Sequence, residues 1–368
     1  MACNGLSRTS IDEDCESNDH SSAMRILVIG GNGFIGTPLV HELAGCGHEV
    51  CVFHRHGDGW SARGVLQIQG DRNRLQDYES ELRQFAPAII IDMILSSGDQ
   101  AEQLVEVAST LNAGVIAISS MDVYRAWGVM LGTEPGGLEP MPNTEDSRLR
   151  TVRRVYPREL AEKMKSIFSW VTPEYDKIAV EEAVMSGRVP ATVIRLPMVY
   201  GPGDPLHRLH GVLKRIADGR PAIILAEEHA RWRGPRGYVE NVAHAIAAAA
   251  ISERARGRIY HICEEPSLTE LEWQSRVAVQ TQWRGRFVLL PAQKTPRHLL
   301  MPGDPAQHLV ANSERIRTEL DYTEIVGIDE ALRRTIAWEQ TNPPIGPSLH
   351  QFDYPAEDAA LTESQPVV

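Results

Sequence analysis

The sequence predicts an α/β fold in which a doubly wound parallel sheet carries a small C-terminal lobe. Three observations predict it. An apolar run, Ile26-Leu27-Val28-Ile29, breaks into Gly30-Gly31-Asn32-Gly33-Phe34-Ile35-Gly36 and then into a helical pattern reaching Leu43. Other strand-length runs, such as Ala88-Ile89-Ile90-Ile91, are continuously hydrophobic, as strands buried on both faces of a parallel sheet must be. Between the runs lie helical patterns of the length that βαβ crossovers need.

In the first unit Gly30 permits the tight turn off the strand and Gly33 lets a pyrophosphate approach bare backbone. Gly36 lets the helix pack close to the sheet with its N-terminus facing the anion. Strand, glycine loop and helix together form the Rossmann dinucleotide fingerprint, so Gly30, Asn32, Gly33, Phe34, Ile35 and Gly36 are the expected cofactor contacts. A second strand, residues 49–53, ends in His54-Arg55-His56 rather than in an acid able to bond a ribose 2′-hydroxyl. Arg55 there favours a 2′-phosphate, and hence NADP over NAD. A third strand, residues 65–69, delivers Asp71, which can accept from an adenine amino group or simply cap a turn. The fourth ends in Asp92.

A helix over residues 100–111 leads into a fifth strand, residues 114–118, followed by Ser119-Ser120-Met121-Asp122-Val123-Tyr124 at the sheet edge where ligands sit. Residues 125–157 lack periodicity and read as a surface excursion, a substrate lid in the functional reading. It ends in the basic cluster Arg148, Arg150, Arg153 and Arg154. Thr172-Pro173-Glu174 then carries the marks of an N-cap, a first-position proline and a first-turn acid, predicting a helix from there through residue 185 with Lys177 and Glu181 on one face. After a sixth strand, residues 191–196, the Pro197-to-Asp204 turn walls the cofactor. A second basic cluster, Arg231 to Arg236, suits an anionic small molecule or faces water. The rest is scaffold. A helix is expected over residues 238–252, a strand over 257–263, a capping box at Ser267 to Glu270, a strand over 287–290, and helices over 313–320 and 329–340. Residues 1–22 read as a disordered extension, 23–342 as the folded domain with lobe elements mainly in 197–236 and 265–342, and 343–368 as a tail.

The 368 residues suffice for a sizeable core, and the formal charge of −12 falls almost wholly in the N-terminal half. Neither half is net positive, which disfavours a nucleic-acid partner. No apolar run approaches a membrane span and no signal-peptide pattern opens the chain, so a cytoplasmic protein with a small-molecule substrate is expected. The five cysteines show neither metal-ligand spacing nor a paired framework, and no metal site is expected. A homodimer is left open.

Five motifs stand in order: Gly30-x-x-Gly33-x-x-Gly36, Ser119-Ser120-x-x-Val123-Tyr124, Lys177-x-x-x-Glu181, Arg195-x-x-x-Val199-Tyr200-Gly201-Pro202 and Arg236-x-Tyr238-Val239-x-x-Val242. With them the chain resembles the extended short-chain dehydrogenase/reductases, and more narrowly the NAD-dependent epimerase/dehydratase family. The resemblance implies that Ser120 bonds the reacting oxygen and that Lys177 binds the nicotinamide ribose. It implies a substrate-phosphate contact at Arg236 and an active-site carboxylate at Asp122; Arg233, from the basic cluster, and Tyr200 are the further substrate contacts expected. Two positions depart from the family. Pro173 stands where the tyrosine four residues before the lysine belongs, and Met198 replaces an asparagine that touches a sugar-nucleotide diphosphate. If the helix spans both Tyr175 and Lys177, two residues of helix turn them about 200° apart, so Tyr175 is expected off the lysine's face. The candidates for moving the alcohol proton are therefore Asp122, Tyr175, Tyr124 and Tyr156, with Asp122 leading. The implied function is an NAD(P)-dependent epimerase, dehydratase or oxidoreductase acting on an anionic, hydroxylated small molecule such as a sugar or nucleotide sugar. A cofactor-binding sensor without catalysis, or an RNA-binding relative of the fold, are the alternatives.

Overall fold

The computed structural model describes residues 23–55, 60–345 and 350–364. The expected N-terminal extension, and His56 of the strand-two terminus, lie outside them. In chain order the elements are β1 (Arg25–Ile29), α1 (Gly36–Gly45), β2 (Glu49–His54), β3 (Leu66–Gln69), α2 (Glu79–Phe85), β4 (Ile89–Asp92), α3 (Gly98–Leu111) and β5 (Gly114–Ser120). Then follow α4 (Arg125–Met130), α5 (Arg158–Ile167), α6 (Lys177–Val184), β6 (Ala191–Leu196), β7 (Met198–Tyr200), α7 (His210–Ala217), β8 (Ala222–Ala226) and α8 (Glu227–Arg231). Next come β9 (Arg236–Tyr238), α9 (Val239–Ile251), β10 (Ile259–His261), α10 (Glu270–Gln280), β11 (Arg286–Leu290), α11 (Glu314–Leu320), α12 (Ile328–Thr341) and α13 (Tyr354–Glu363).

The main sheet has seven strands in the order β10-β6-β5-β4-β1-β2-β3, all neighbours parallel. The order reverses between β1 and β4, which opens a crevice at their carboxyl ends. The continuous apolar runs have the cause the sequence suggested: Ile26, Leu27, Val28 and Ile29 are fully buried, because helices cover both faces. One face packs on α1 and α9, the other on α3 and α6. A lobe beside the sheet contains a parallel pair, β8 with β11, and a second pair, β7 with β9. The β8 strand and α7 were not foreseen. Among the described residues no helix is long and apolar enough to cross a membrane.

Four local readings need correction. The helix expected from residue 172 begins at Lys177, because Asp176 is its cap: the carboxylate accepts from the Ile178 and Ala179 amides at 3.0 and 3.2 Å. The Thr-Pro-Glu signal instead lies in the turns before it. The excursion contains α4 and is followed by α5, a helix absent from the sequence reading, with no buried residue in this structure. The capping box is Thr269 with Glu272, two residues beyond the position expected. Finally, where a tail was expected, α13 docks on the lobe. Asp353 caps it, and Glu357, 1% exposed, accepts from Arg215 at 2.5 and 3.1 Å and pairs with His298 at 2.9 Å.

Removing one member of a buried ion pair leaves the other charge uncompensated, at a cost of about 3 to 5 kcal/mol. Glu357→Ala is therefore expected to destabilise the protein by that order in denaturant unfolding. A loss under about 1 kcal/mol would show that α13 is not held by this pair.

Candidate active site

The glycine loop is built as a phosphate cradle. Gly30 has φ +77°, its amide donates to Phe53 O at 2.9 Å, and a Cβ there would lie 2.8 Å from the Ile94 side chain. A Cβ on Gly36 would collide with the backbone of Gly30 and Gly31, so the helix start can approach only as glycine. Gly33 is exposed, and a Cβ on it would meet only Gly30 O, at 3.3 Å. The face turned away from the sheet is thus open to an anion, with Asn32 beside it and Phe34 and Ile35 lining the adjoining cavity. These residues fit a dinucleotide pyrophosphate. Arg55 leaves the end of β2 exposed, with its guanidinium 3.4 Å from Ser169 Oγ. Asp71 caps a 3₁₀ turn, accepting from Asn73 N at 3.0 Å, which is its turn-aspartate role. Asp92 is fully buried and accepts from Arg72 at 2.8 Å. Its carboxylate is occupied by the protein.

A cavity of about 660 Å³ opens beyond the loop. It brings together Ser119 and Ser120 at the end of β5, Tyr156 from the excursion, Tyr175 and Lys177 at the start of α6, and Pro197 and Met198 after β6. The expectation that Ser120 and Asp122 share a strand face does not hold. Strand pairing stops at Ser120, and Met121–Val123 form a 3₁₀ turn whose cap is Ser120 itself, its Oγ accepting from Asp122 N at 3.1 Å. Asp122 turns inward and has no exposed surface. Its Oδ2 accepts from both Tyr156 OH and Tyr175 OH, each at 2.8 Å. The Arg150 Nη2 lies 3.8 Å from Oδ1, and Arg150 Nε donates to the Asp122 carbonyl. Burial, and then the negative charge of Asp122, push both phenols well above their usual range near 10.

Lys177 is buried, with its ammonium donating to the carbonyls of Leu95 and Ile118. Burial pulls its pKa down to about 8, against the opposing pull of Asp122, Asp92 and Glu181. The ammonium sits 5.3 Å from the Trp170 ring centre and 5.8 Å from that of Tyr175. The predicted separation of Tyr175 from Lys177 fails for a simple reason: Tyr175 precedes the helix, so helical rotation does not apply to it. Glu181, one turn further along the same helix, is buried behind the cavity and pairs with Arg195 at 2.7 Å and with Ser119 Oγ at 2.5 Å.

Several expected site residues are not brought to the cavity. Arg236 bonds Glu270 and stacks on Trp273 at 4.7 Å, because β9 turns it toward α10. Arg233 donates to Ser267 O near that same helix start. Tyr200 is 1% exposed and donates to Glu264 at 2.8 Å, and Tyr124 is buried against Arg195 and His261. Trp170, Phe168 and the α5 residues Leu160 and Met164 all line the cavity without having been expected there. An amphipathic reading of residues 158–167 could have found the last two.

The model of the NAD dependent epimerase/dehydratase family matches residues 26–263. The chain belongs to that family. Its members are NAD(P)-dependent, as the glycine loop requires. Among curated proteins the chain is 26% identical over 266 residues to a 2′-dehydrokanamycin reductase of Streptomyces kanamyceticus, covering 69% of this chain and 66% of that one. It is 34% identical over 108 residues to a 2-alkyl-3-oxoalkanoate reductase of Stenotrophomonas maltophilia, covering 29% of this chain and 31% of that protein. The chain thus spans less than two thirds of the length of these relatives. Among solved structures, the Bordetella bronchiseptica enzyme WbmG in complex with NAD has a TM-score of 0.64 at 17% identity, covering 88% of this chain and 96% of that one. A dTDP-glucose 4,6-dehydratase from Bacillus anthracis with NAD gives 0.63 at 16%, covering 87% and 97%. Likeness at these identities establishes the shared fold.

The lowered pKa of Lys177 has a measurable sign. Between about pH 8 and 10.5 the unfolded chain holds the lysine proton and the folded one does not, so this group makes stability rise with pH across that window. The stability of the wild type relative to Lys177→Met is expected to increase by about 3 kcal/mol from pH 8 to 10.5 in parallel denaturant titrations. A flat difference would mean that the ammonium is as well solvated folded as unfolded.

Proposed function

We propose that the protein binds NAD(P) across the glycine loop and interconverts a secondary alcohol and a ketone in the adjoining cavity. The observation that carries this reading is the Tyr175 hydroxyl, held 2.8 Å from the Asp122 carboxylate in the cavity that also receives Ser120 and Lys177. When bound, the nicotinamide supplies the hydride acceptor or donor.

The residues then divide the work. Ser120 accepts from Asp122 N and keeps its own hydroxyl hydrogen free to donate to the reacting oxygen. Tyr175 is held protonated and so cannot act alone as a base. Asp122 is shut away behind the phenols, so it can reach a substrate proton only through one of them. In alcohol oxidation the substrate O–H proton passes to the Tyr175 oxygen while the Tyr175 proton passes to Asp122 Oδ2. The carbon loses hydride, leaving a ketone and a neutral Asp122. Reduction runs the same transfers backwards. Lys177, with two of its three N–H groups given to carbonyls, keeps one for the cofactor ribose and steadies charge on the nearby phenol. Pro173 is thereby bypassed: the tyrosine comes from two residues before the lysine rather than four.

Two relatives named as reductases support oxidoreduction. A nucleotide-sugar substrate has less support, since Arg233 and Arg236 lie off the cavity and Met198 replaces the asparagine expected at a diphosphate. A sensor that binds cofactor without chemistry remains the contrasting reading, and kinetics separates the two.

A positioned general base contributes on the order of 10² to 10⁴ in rate. Asp122→Asn and Tyr175→Phe are each expected to lower turnover by about 10² or more with cofactor affinity retained, and Tyr156→Phe by less. Full activity in Tyr175→Phe would remove the relay. For the cofactor, Arg55 is expected to favour NADP, so Arg55→Ala should weaken NADP about tenfold while sparing NAD in parallel titrations, on the scale of one charge-assisted bond. Equal loss for both cofactors would take Arg55 out of the 2′-phosphate role.

A further inference from the structure

Ser120, Tyr175, Tyr156 and Lys177 gather where the sheet ends, whereas much of the remaining lining is apolar, interrupted by charged side chains that include the Arg158 and Glu162 pair. One wall is α5. None of its residues is buried, yet Leu160, Ala161 and Met164 fall on one face of it and line the cavity, continued by Phe168 and Trp170. An amphipathic helix whose apolar face meets a cavity instead of protein lacks the burial that would normally hold it. Trp127, Met130, Met198 and Leu206 also line it, and these methionines, with Met164, suit a flexible aliphatic body better than a sugar, which needs bonded hydroxyl partners. At the rim stand the exposed cations Arg154 and Lys165, which form no ion pair among the described residues. Arg208, also lining the cavity, is already committed to Asp204 at 2.6 Å.

We propose that the substrate is an amphiphilic oxo or hydroxy acid. Its reacting oxygen lies at Ser120 and Tyr175, its aliphatic chain along α5 and the methionines, and its carboxylate at Arg154 and Lys165. The placement of the reacting oxygen rests on the oxidoreduction proposed above; the chain and carboxylate sites do not. Substrate binding covers the apolar face of α5, so the ligand completes the wall.

The test is the affinity of the purified full chain, with NADP present, for a series of straight-chain carboxylic acids carrying one oxo group next to the chain end, read by tryptophan fluorescence and calorimetry. Each added methylene is expected to tighten binding about fourfold until the chain fills the cavity. Met164→Asp on the exposed helix should flatten that dependence. Arg154→Glu with Lys165→Glu should weaken the acids at least tenfold while leaving their methyl esters unchanged. Affinity independent of chain length, tighter binding of a UDP-hexose than of any acid in the series, or equal losses for acid and ester would each overturn the proposal. Because binding is read without turnover, acids that bind with the expected pattern but are never reduced would uphold this inference and sink the proposed oxidoreduction. Brisk reduction of small hydrophilic ketones with no gain along the series would do the reverse.

Discussion

A carboxylate with no access to water must be met by donors, and Asp122 is such a group. Leaving a buried charge uncompensated costs several kcal/mol, so whatever reaches it is held firmly. Two stretches beyond the sheet edge reach it: the excursion, with Arg150 and Tyr156, and the turn before α6, with Tyr175. Both phenols converge on one oxygen, which sets the covering segment over the sheet edge and brings Tyr175 beside Lys177 at once. Arg150 locks the arrangement from behind, with further bonds to the carbonyls of Val152 and Arg153.

That cluster gains meaning from where the sheet puts it. The strand order reverses between β1 and β4, so the glycine loop, the end of β5 and the start of α6 open into one crevice. The helix start is placed as firmly as the sheet edge. Asp176, as the cap, decides that Lys177 is the first helical residue, and so that Tyr175 stays outside the helix and free to turn toward Asp122. Two aspartates, one capping and one buried, therefore fix the geometry that the glycine loop serves.

The sheet and the loop were legible in the sequence because both are written locally. Short β-branched apolar runs bounded by glycine and aspartate suit strands buried on two faces, and Gly30 and Gly36 stand where any Cβ would clash. The helix start was misread because Thr172-Pro173-Glu174 and Asp176 are competing local signals, and the choice between them was settled by long-range contacts such as Thr172 N to Ser96 Oγ at 2.9 Å. Ser120, Asp122 and Lys177 follow from motifs, whereas Tyr175 is expected off the lysine's face; the structure brings Tyr175 to the same cluster. Arg236 and Tyr200 belong to motifs and Arg233 to the basic cluster, and all three lie elsewhere, since neither signal shows that Glu270 and Glu264 already hold two of them. Residues 158–167 carry an amphipathic pattern, but the cavity that their apolar face lines does not follow from it. The tail hid a helix whose anchor, Glu357, pairs with residues about sixty and more than a hundred positions earlier.

The same burial that makes Asp122 and the phenols a unit also denies Tyr175 the role of an ionised base. A cation beside a tyrosine ordinarily lowers the phenol's pKa; here burial, and then the Asp122 charge, raise it, and Lys177 is itself held down to about 8. Proton movement through Tyr175 to Asp122 follows from that reversal. Titrating the ring carbon bonded to the phenol oxygen by NMR, in protein labelled at tyrosine and compared with Tyr175→Phe, tests it most directly. The account predicts that the Tyr175 signal stays that of a neutral phenol up to and beyond pH 10. A phenolate forming near neutral pH would contradict it and return the site to an activated-tyrosine mechanism.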